Sequence, residues 1–299
     1  GWADIVNPSS LLDACTLEGR IYCVPINIHS AQWIWLSHAA YKNAGLAVPA
    51  NWNDFVETAP ALEAAGTLPL AMGQQGWQQS IAFGAITLAV AGLDAWKEVN
   101  VSKNADVARG PEYTAAFEAA AAARQFASAS AVQDWNLATN MVITGTAGAQ
   151  IMGDWAQGEF AVAGQVEGED YSCLPGLGLN AVLDTGGDAF YFPVNDDPEI
   201  TAAQKELAAL LISPEVQVSF NLAKGSLPVR GDIDMSSANG CMQKGLGILA
   251  DGGVLPSADI SFSADTQTQI EDLMAQFWSS DMSAADAQSR YAQLIEDAD

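Results

Sequence analysis

Positive charge is what this sequence has least of: 11 Lys+Arg stand against 36 Asp+Glu, for a formal net charge of -25. Such a field repels polyphosphate and anionic lipid, which argues against nucleic acid and membrane surfaces as partners and disfavours an anionic ligand. A neutral ligand is the simplest occupant, and solubility is the bland account of the same acidity. Long apolar runs are missing too: no stretch reaches the ~18 apolar residues of a membrane span. Histidine occurs only at His29 and His38, and no Cys-x-x-Cys is present, so a zinc site lacks its ligands. No Gly-x-Ser-x-Gly, phosphate loop or metal-ligand spacing occurs either. Neither a cofactor nor a metal is expected, and no residue is assigned a catalytic role. Asp154 and Asp188 are formally a pair of carboxylates for glycoside hydrolysis, but acids are too plentiful here for that pairing to be informative.

What is present is material for a substantial core. The 299 residues, 49% of them hydrophobic, suggest two domains. Four cysteines occur, at 15, 23, 173 and 241. The run from Cys15 to Cys23 reads as a hairpin with Glu18-Gly19 in its turn and both thiols at its mouth. Of three possible pairings, local geometry favours Cys15–Cys23 with Cys173–Cys241, which implies an oxidising compartment; four buried thiols in a reducing compartment are the alternative.

Local signals place the elements. Ile21–Ile28 reads as an apolar strand with Pro25 at an edge or crossing point, and 31–36 as another, with Trp33 and Trp35 alternating with Ile34. A helix from His38 to Ala44 stops at Gly45. Asn51 caps a helix that runs to about Ala65. Ser80–Ala91 is apolar all round and reads as a buried helix, preceded by a loop holding Gln74, Gln75 and Trp77. Glu112–Ser128 and Asn136–Thr144 are further helices, with Trp135-Asn136 read as packing plus a cap. The small residues from Ala147 to Gly153 form a strand that ends at Asp154-Trp155, where a helix begins. A turn at Gly186-Gly187 leads into strand 188–192. Ser213, Pro214 and Glu215 open a helix that Gly225 closes. Two C-terminal helices carry apolar stripes at Ile270, Leu273, Met274 and Phe277, and at Tyr291, Leu294 and Ile295. Strands thus alternate with helices, the pattern of an α/β fold.

Gly19–His29, Trp33-Ile34-Trp35 and Gln150–Ala156 resemble the family 1 extracellular solute-binding proteins. Asp188–Pro193 and Phe220–Arg230 resemble the glucose/mannose-type branch of that family. The resemblance implies a two-lobe, type II periplasmic-binding-protein-like fold whose lobes close on a sugar. It places hinge crossovers near 24–32, 185–190 and 227–230. It divides the chain into 1–28, the remnant of a first lobe with the first hinge; 29–184, the second lobe; 185–226, a returning segment of the first lobe; and 227–299, the third hinge and helices that complete the second lobe. Family members carry about a hundred residues before the position of Gly1, enough for two or three βαβ units of ~30 residues, so an incomplete first lobe is expected, with sugar bound weakly or not at all unless the missing piece is supplied as a separate segment.

A pyranose offers a flat C–H face and a ring of hydroxyls, which call for an aromatic platform beside charged or amide groups. Trp155 at a strand end matches the family's stacking platform, Asp188 its hydroxyl-binding aspartate and Lys224 its binding lysine. The bland alternatives are a core Trp, a turn aspartate and a cation at a helix end. Asp154 beside the platform, His29 on the first hinge, and Gln75 and Trp77 in their loop are further candidates. Where relatives have a histidine, this chain has Ile260; either Asp259 replaces its hydrogen bond or the sugar preference differs. The resemblance implies a monomer in the periplasm that carries a glucose- or mannose-like monosaccharide to the membrane subunits of an ABC importer. A chemosensory sugar adaptor and a carbohydrate-active enzyme are the rival readings.

Overall fold

Strand Trp33–Ser37 sets the centre of the molecule. Its Trp33 and Trp35 face one side, Ile34 and Leu36 the other, and all four are buried, as in a strand covered on both faces. Ala147–Met152 and Tyr171–Pro175 flank it antiparallel, and Leu68–Ala71 lies parallel beyond Ala147–Met152. The computed structural model describes residues 1–256 and 261–298. On one face of this four-stranded sheet Ile34, Leu36, Leu70, Ala149 and Ile151 meet Phe55, Phe83, Phe117, Phe277 and Tyr291. On the other, Trp33, Trp35 and Met152 meet Phe160, Val142 and Met242. Helix Gly76–Val90 sits deep in the first of these layers, packed between Pro111–Phe126 and Ala264–Ser279.

Caps fix the helix ends. Ser37 and Asn51 accept backbone N–H bonds at the starts of His38–Ala44 and Trp52–Ala64. Gly45 and Gly225 close His38–Ala44 and Pro214–Lys224 in the left-handed conformation. Arg124 reaches from its helix to the carbonyls of Phe277, Ser280 and Met282 and lies over the Phe277 ring, so it holds the end of Ala264–Ser279 against Pro111–Phe126.

A second, smaller body surrounds the strand pair of residues 23–25 and 189–191. Strand Cys23–Pro25 pairs antiparallel with Ala189–Tyr191, and helices Pro198–Leu211 and Pro214–Lys224 pack beside them. Thr16–Leu17 and Arg20–Ile21 form the expected hairpin; Glu18 and Gly19 both have positive φ, as a two-residue type I′ turn requires. Both expected disulfides, Cys15–Cys23 and Cys173–Cys241, are formed.

The two bodies meet where three segments run side by side. Ile28 and Leu227 exchange backbone hydrogen bonds of 2.7 and 3.0 Å, His29 and Gly186 exchange two of 3.1 Å, and Ile26 donates to Asp188 at 3.0 Å. A Cβ on Gly187 would lie 2.2 Å from the Asn27 carbonyl, so only glycine admits this approach.

Several local readings are corrected. The buried helix begins at Gly76 rather than Ser80, so Trp77 is in its first turn and Gln75 is its N-cap residue, not loop; a glycine at the helix start hid the onset. Asp134, not Trp135-Asn136, precedes the helix Trp135–Ile143. The apolar run 21–28 is broken at Tyr22, whose N–H turns back to the Cys15 carbonyl, into the strands Arg20–Ile21 and Cys23–Pro25. Helices Leu93–Asn100, Pro198–Leu211 and Gly240–Ala250 and strands Tyr171–Pro175 and Val254–Pro256 add to the elements read from the sequence.

Candidate functional site

The crossing strands deliver the chemistry. Asn27 and His29 stand two residues apart in the central segment, 26–29, so both side chains leave on the same side. Strand Ala147–Met152 ends two residues before Asp154, with Gly153 between. Trp155 folds back over Gly153, where a Cβ would lie 2.1 Å from the ring, so the glycine is what allows the indole this position. Gly186 and Gly187 bring Asp188 alongside.

His29 is the centre of the cluster. Its Nδ1 lies 2.6 Å from the buried Asp154 and its Nε2 3.3 Å from Asp188. Burial works against charge on the imidazole, but the two carboxylates outweigh it and raise its pKa to about 9. The His29 hydrogen bond in turn holds Asp188 well below the usual carboxylate range, with help from Asn27 and Lys224. Burial pushes the Asp154 carboxyl up, opposed by His29 and by the Ser30 amide, which donates at 3.1 Å. Asn27 completes the frame: its Nδ2 donates to Asp188 at 2.9 Å and its Oδ1 accepts from the Asp188 amide at 2.6 Å.

The His29 ring meets the half-buried Trp155 indole edge-on, with centroids 5.2 Å apart, and Trp77 lies 6.4 Å from the same indole. Trp77, Trp155, His29, Asp184 and Asp188 are among the residues that line a cavity of about 430 Å³, within the range that encloses small ligands. No Lys or Arg is among its described lining residues. The Lys224 ammonium stands 4.0 Å from Asp188, outside the lining.

The expected residues are therefore partly brought together. Trp155, Trp77, His29 and Asp188 converge on the cavity, with Lys224 behind Asp188. Asp154, expected beside a ligand, is buried and engaged with His29 and Ser30 instead. Gln75 accepts from the Trp77 indole N–H at 2.8 Å and donates to Asp134 at 3.1 Å, so it holds Trp77. Asp259, with Ile260, lies outside the described residues. Two residues were missed. Asn27 had a signal, a lone amide inside the apolar run 24–28. Asp184, which accepts from the Ala31 amide at 2.9 Å, had none.

Two bodies joined by three adjacent crossings, with tryptophans and Asp188 lining a cavity beside the crossing, belong to the two-lobe type II fold class. Residues 2–218 match the bacterial extracellular solute-binding protein family, and the chain belongs to that family. It is 34% identical over 248 residues to a probable sugar-binding periplasmic protein of Brucella suis, covering 82% of this chain and 58% of that one. A probable sugar-binding periplasmic protein of Rhizobium meliloti is 33% identical over 253 residues, covering 84% and 60%. The chain thus spans about three fifths of the length of these relatives. Among solved structures, a chitin oligosaccharide binding protein matches with a TM-score of 0.79 at 18% identity, covering 99% of this chain and 75% of that one. A bacterial solute receptor with an exclusive preference for β-D-galactopyranose matches with a TM-score of 0.76 at 18% identity, covering 98% and 75%.

Proposed function

We propose that the protein is the sugar-binding component of an ABC importer, a non-catalytic, extracytoplasmic monomer that hands a neutral sugar to the transporter's membrane subunits. The observation that carries this reading is Trp155 beside the half-exposed Asp188 in a cavity with no Lys or Arg among its described lining residues. One pyranose ring, glucose- or mannose-like as the sequence resemblance implies, stacks on Trp155 and donates hydroxyls to Asp188, with Lys224 donating from the far side. His29, framed by Asp154 and Asn27, fixes Asp188 and the platform edge. Segments 24–32, 185–190 and 227–230 act as the hinge; residues 29–184 with the chain after 227 form the second lobe, and residues 1–28 and 185–226 contribute to the first.

A glycoside hydrolase is disfavoured because its two carboxylates must be free to move a proton and to reach the anomeric carbon. Here Asp154 and Asp188 grip one imidazole. The test is titration calorimetry and tryptophan fluorescence of the chain with hexoses, pentoses and disaccharides. Saturable binding that falls at least about tenfold in Trp155→Ala is expected, in keeping with the 1.4 kcal/mol per decade of affinity. No signal from any sugar, with the N-terminal segment of the relatives joined to the chain, would reject the reading, and wild-type affinity in Trp155→Ala would reject the platform.

A further inference from the structure

We propose that Gln157 and Gly158 form a latch between the two bodies, as positioning residues that set how closely Trp155 and Lys224 face each other; its bearing on the ligand rests on the sugar reading above. Helix Ala156–Val162 follows directly on Trp155 in the larger body, and helix Pro214–Lys224 packs in the smaller. The first turn of one abuts the last turn of the other. Gln157 Nε2 donates to the Gly225 carbonyl, and both residues are buried. A Cβ on Gly158 would lie 3.2 Å from the Lys224 carbonyl oxygen, and the next nearest atoms also belong to Ala223 and Lys224. Gly225 directly follows Lys224, whose ammonium is 4.0 Å from Asp188, and soon leads to Leu227, which exchanges hydrogen bonds with Ile28 in the crossing. The contact thus ties the helix after the platform to the segment that carries the cation and the third crossing.

Two observations separate this contact from ordinary packing. Gly158 lies inside a helix without positive φ, where propensity favours alanine. The nearest atoms that a Cβ there would meet are backbone of the other body, so the glycine serves the approach of the two helix ends rather than its own helix. Gln157 Oε1, for its part, is buried with no hydrogen-bond partner, and a half-paired buried amide is costly. Parting the helix ends admits water to both amide atoms, which replaces the bond to Gly225 and satisfies the orphan acceptor together. The latch therefore holds through one bond and releases without leaving an unpaired group behind. As the bodies turn about the crossing, release carries Lys224 away from Trp155. The apparent affinity for a ligand gripped by both then falls with the latched fraction.

The test measures the spacing of the bodies directly. Nitroxide labels at Ser128→Cys in the larger body and Val194→Cys in the smaller, both exposed positions, report it as an electron–electron distance in the ligand-free full chain; the native cysteines are all paired and take no label. Gly158→Val, which wedges the helix ends apart, and Gln157→Ala, which removes the bond, are each expected to shift the main distance. Gly158→Ala is expected to shift it less and to keep or raise the thermal midpoint, since alanine is the better helix former; a fallen midpoint with an unmoved distance would mark a merely structural glycine and overturn the latch. Unchanged distances in Gly158→Val and Gln157→Ala overturn it too, and Gln157→Ala decides alone should Gly158→Val fail to fold. With glucose, mannose and galactose, Gly158→Val is expected to weaken binding about tenfold for a tenfold loss of latched fraction. A shifted distance with wild-type affinity overturns the positioning role. Silence from every sugar, with the N-terminal segment of the relatives joined to the chain, rejects the sugar reading, while the distances judge the latch separately.

Discussion

The two bodies that meet at Ile28 and His29 treat their apolar side chains differently. In the larger, Phe55, Phe117, Phe160 and Phe277 are fully buried, because a four-stranded sheet offers two faces and helices cover both. In the smaller, Tyr191 is 67% exposed, Leu210 56% and Val194 90%, because its strand pairs present little face for helices Pro198–Leu211 and Pro214–Lys224 to cover. Equal hydrophobicity in sequence therefore does not give equal cores; the number of covered sheet faces decides. The larger body is held by packing on both sheet faces, while the smaller buries a lesser set, Leu11, Leu12, Val24, Ile26 and Ile212, beside its disulfide and the hydrogen bonds of the crossing.

The largest test of that contrast removes each disulfide. Cys173–Cys241 joins residues 68 apart and ties Tyr171–Pro175 to helix Gly240–Ala250; Cys15–Cys23 joins residues only 8 apart. Chain entropy predicts losses of about 4 and about 2.5 kcal/mol for the paired Cys→Ala variants, read as shifts in denaturant midpoint. Equal losses would break the comparison. Next comes Arg124→Ala, which frees three carbonyls at the end of Ala264–Ser279 and is expected to cost about 2 kcal/mol, seen as a lower thermal midpoint and faster amide exchange over 276–282.

The crossing itself answers to pH. His29 faces Asp154 and Asp188, with Lys224 beyond Asp188, and its pKa is raised from 6.5 to about 9 in the folded chain. Its stabilisation is therefore complete below about 6.5 and lost as pH rises through 9. Asp188, held below the ordinary carboxylate range, adds stabilisation that is present above 3.8 and lost as pH falls further. Thermal midpoints are expected to decline between pH 6.5 and 9.5 in the wild type and to lose that slope in His29→Gln; an unchanged slope would refute the charge assignment. The smallest effect sharpens the contrast from the other side. Leu210→Ala, on the exposed face of the smaller body, is expected to change stability by less than about 0.5 kcal/mol, and a loss near that of a core leucine would show a covered face there.

What the sequence revealed followed from how local each signal was. Ser37 with Gly45, Asn51, and Ser213-Pro214 with Gly225 carry their caps within a few residues, and their helices were legible. Helix Pro198–Leu211 has the same signature, Asp197 capping and Pro198 first, and was there to be read. Gly240–Ala250 was not, since Gly240, Gly245 and Gly247 break its pattern. In the site, Trp155 and Asp188 stand at a strand end and a glycine turn and could be picked out. The burial of Asp154 against His29 joins residues 125 apart, and no local pattern reports such a pairing.

Helix Gly76–Val90 has one more consequence, for the order in which the protein is made. Two of the surfaces that enclose it, Ala264–Ser279 and the Tyr291 face of Ala284–Glu296, belong to the last part of the chain. At 5–20 residues per second, synthesis of the roughly two hundred intervening residues takes about 10–40 s. For that interval one of the most apolar helices of the molecule lacks its permanent cover. Nascent chains therefore need either transient shelter for this segment or delayed collapse, and variants that weaken the two final helices should appear first as aggregates rather than as folded protein with altered binding.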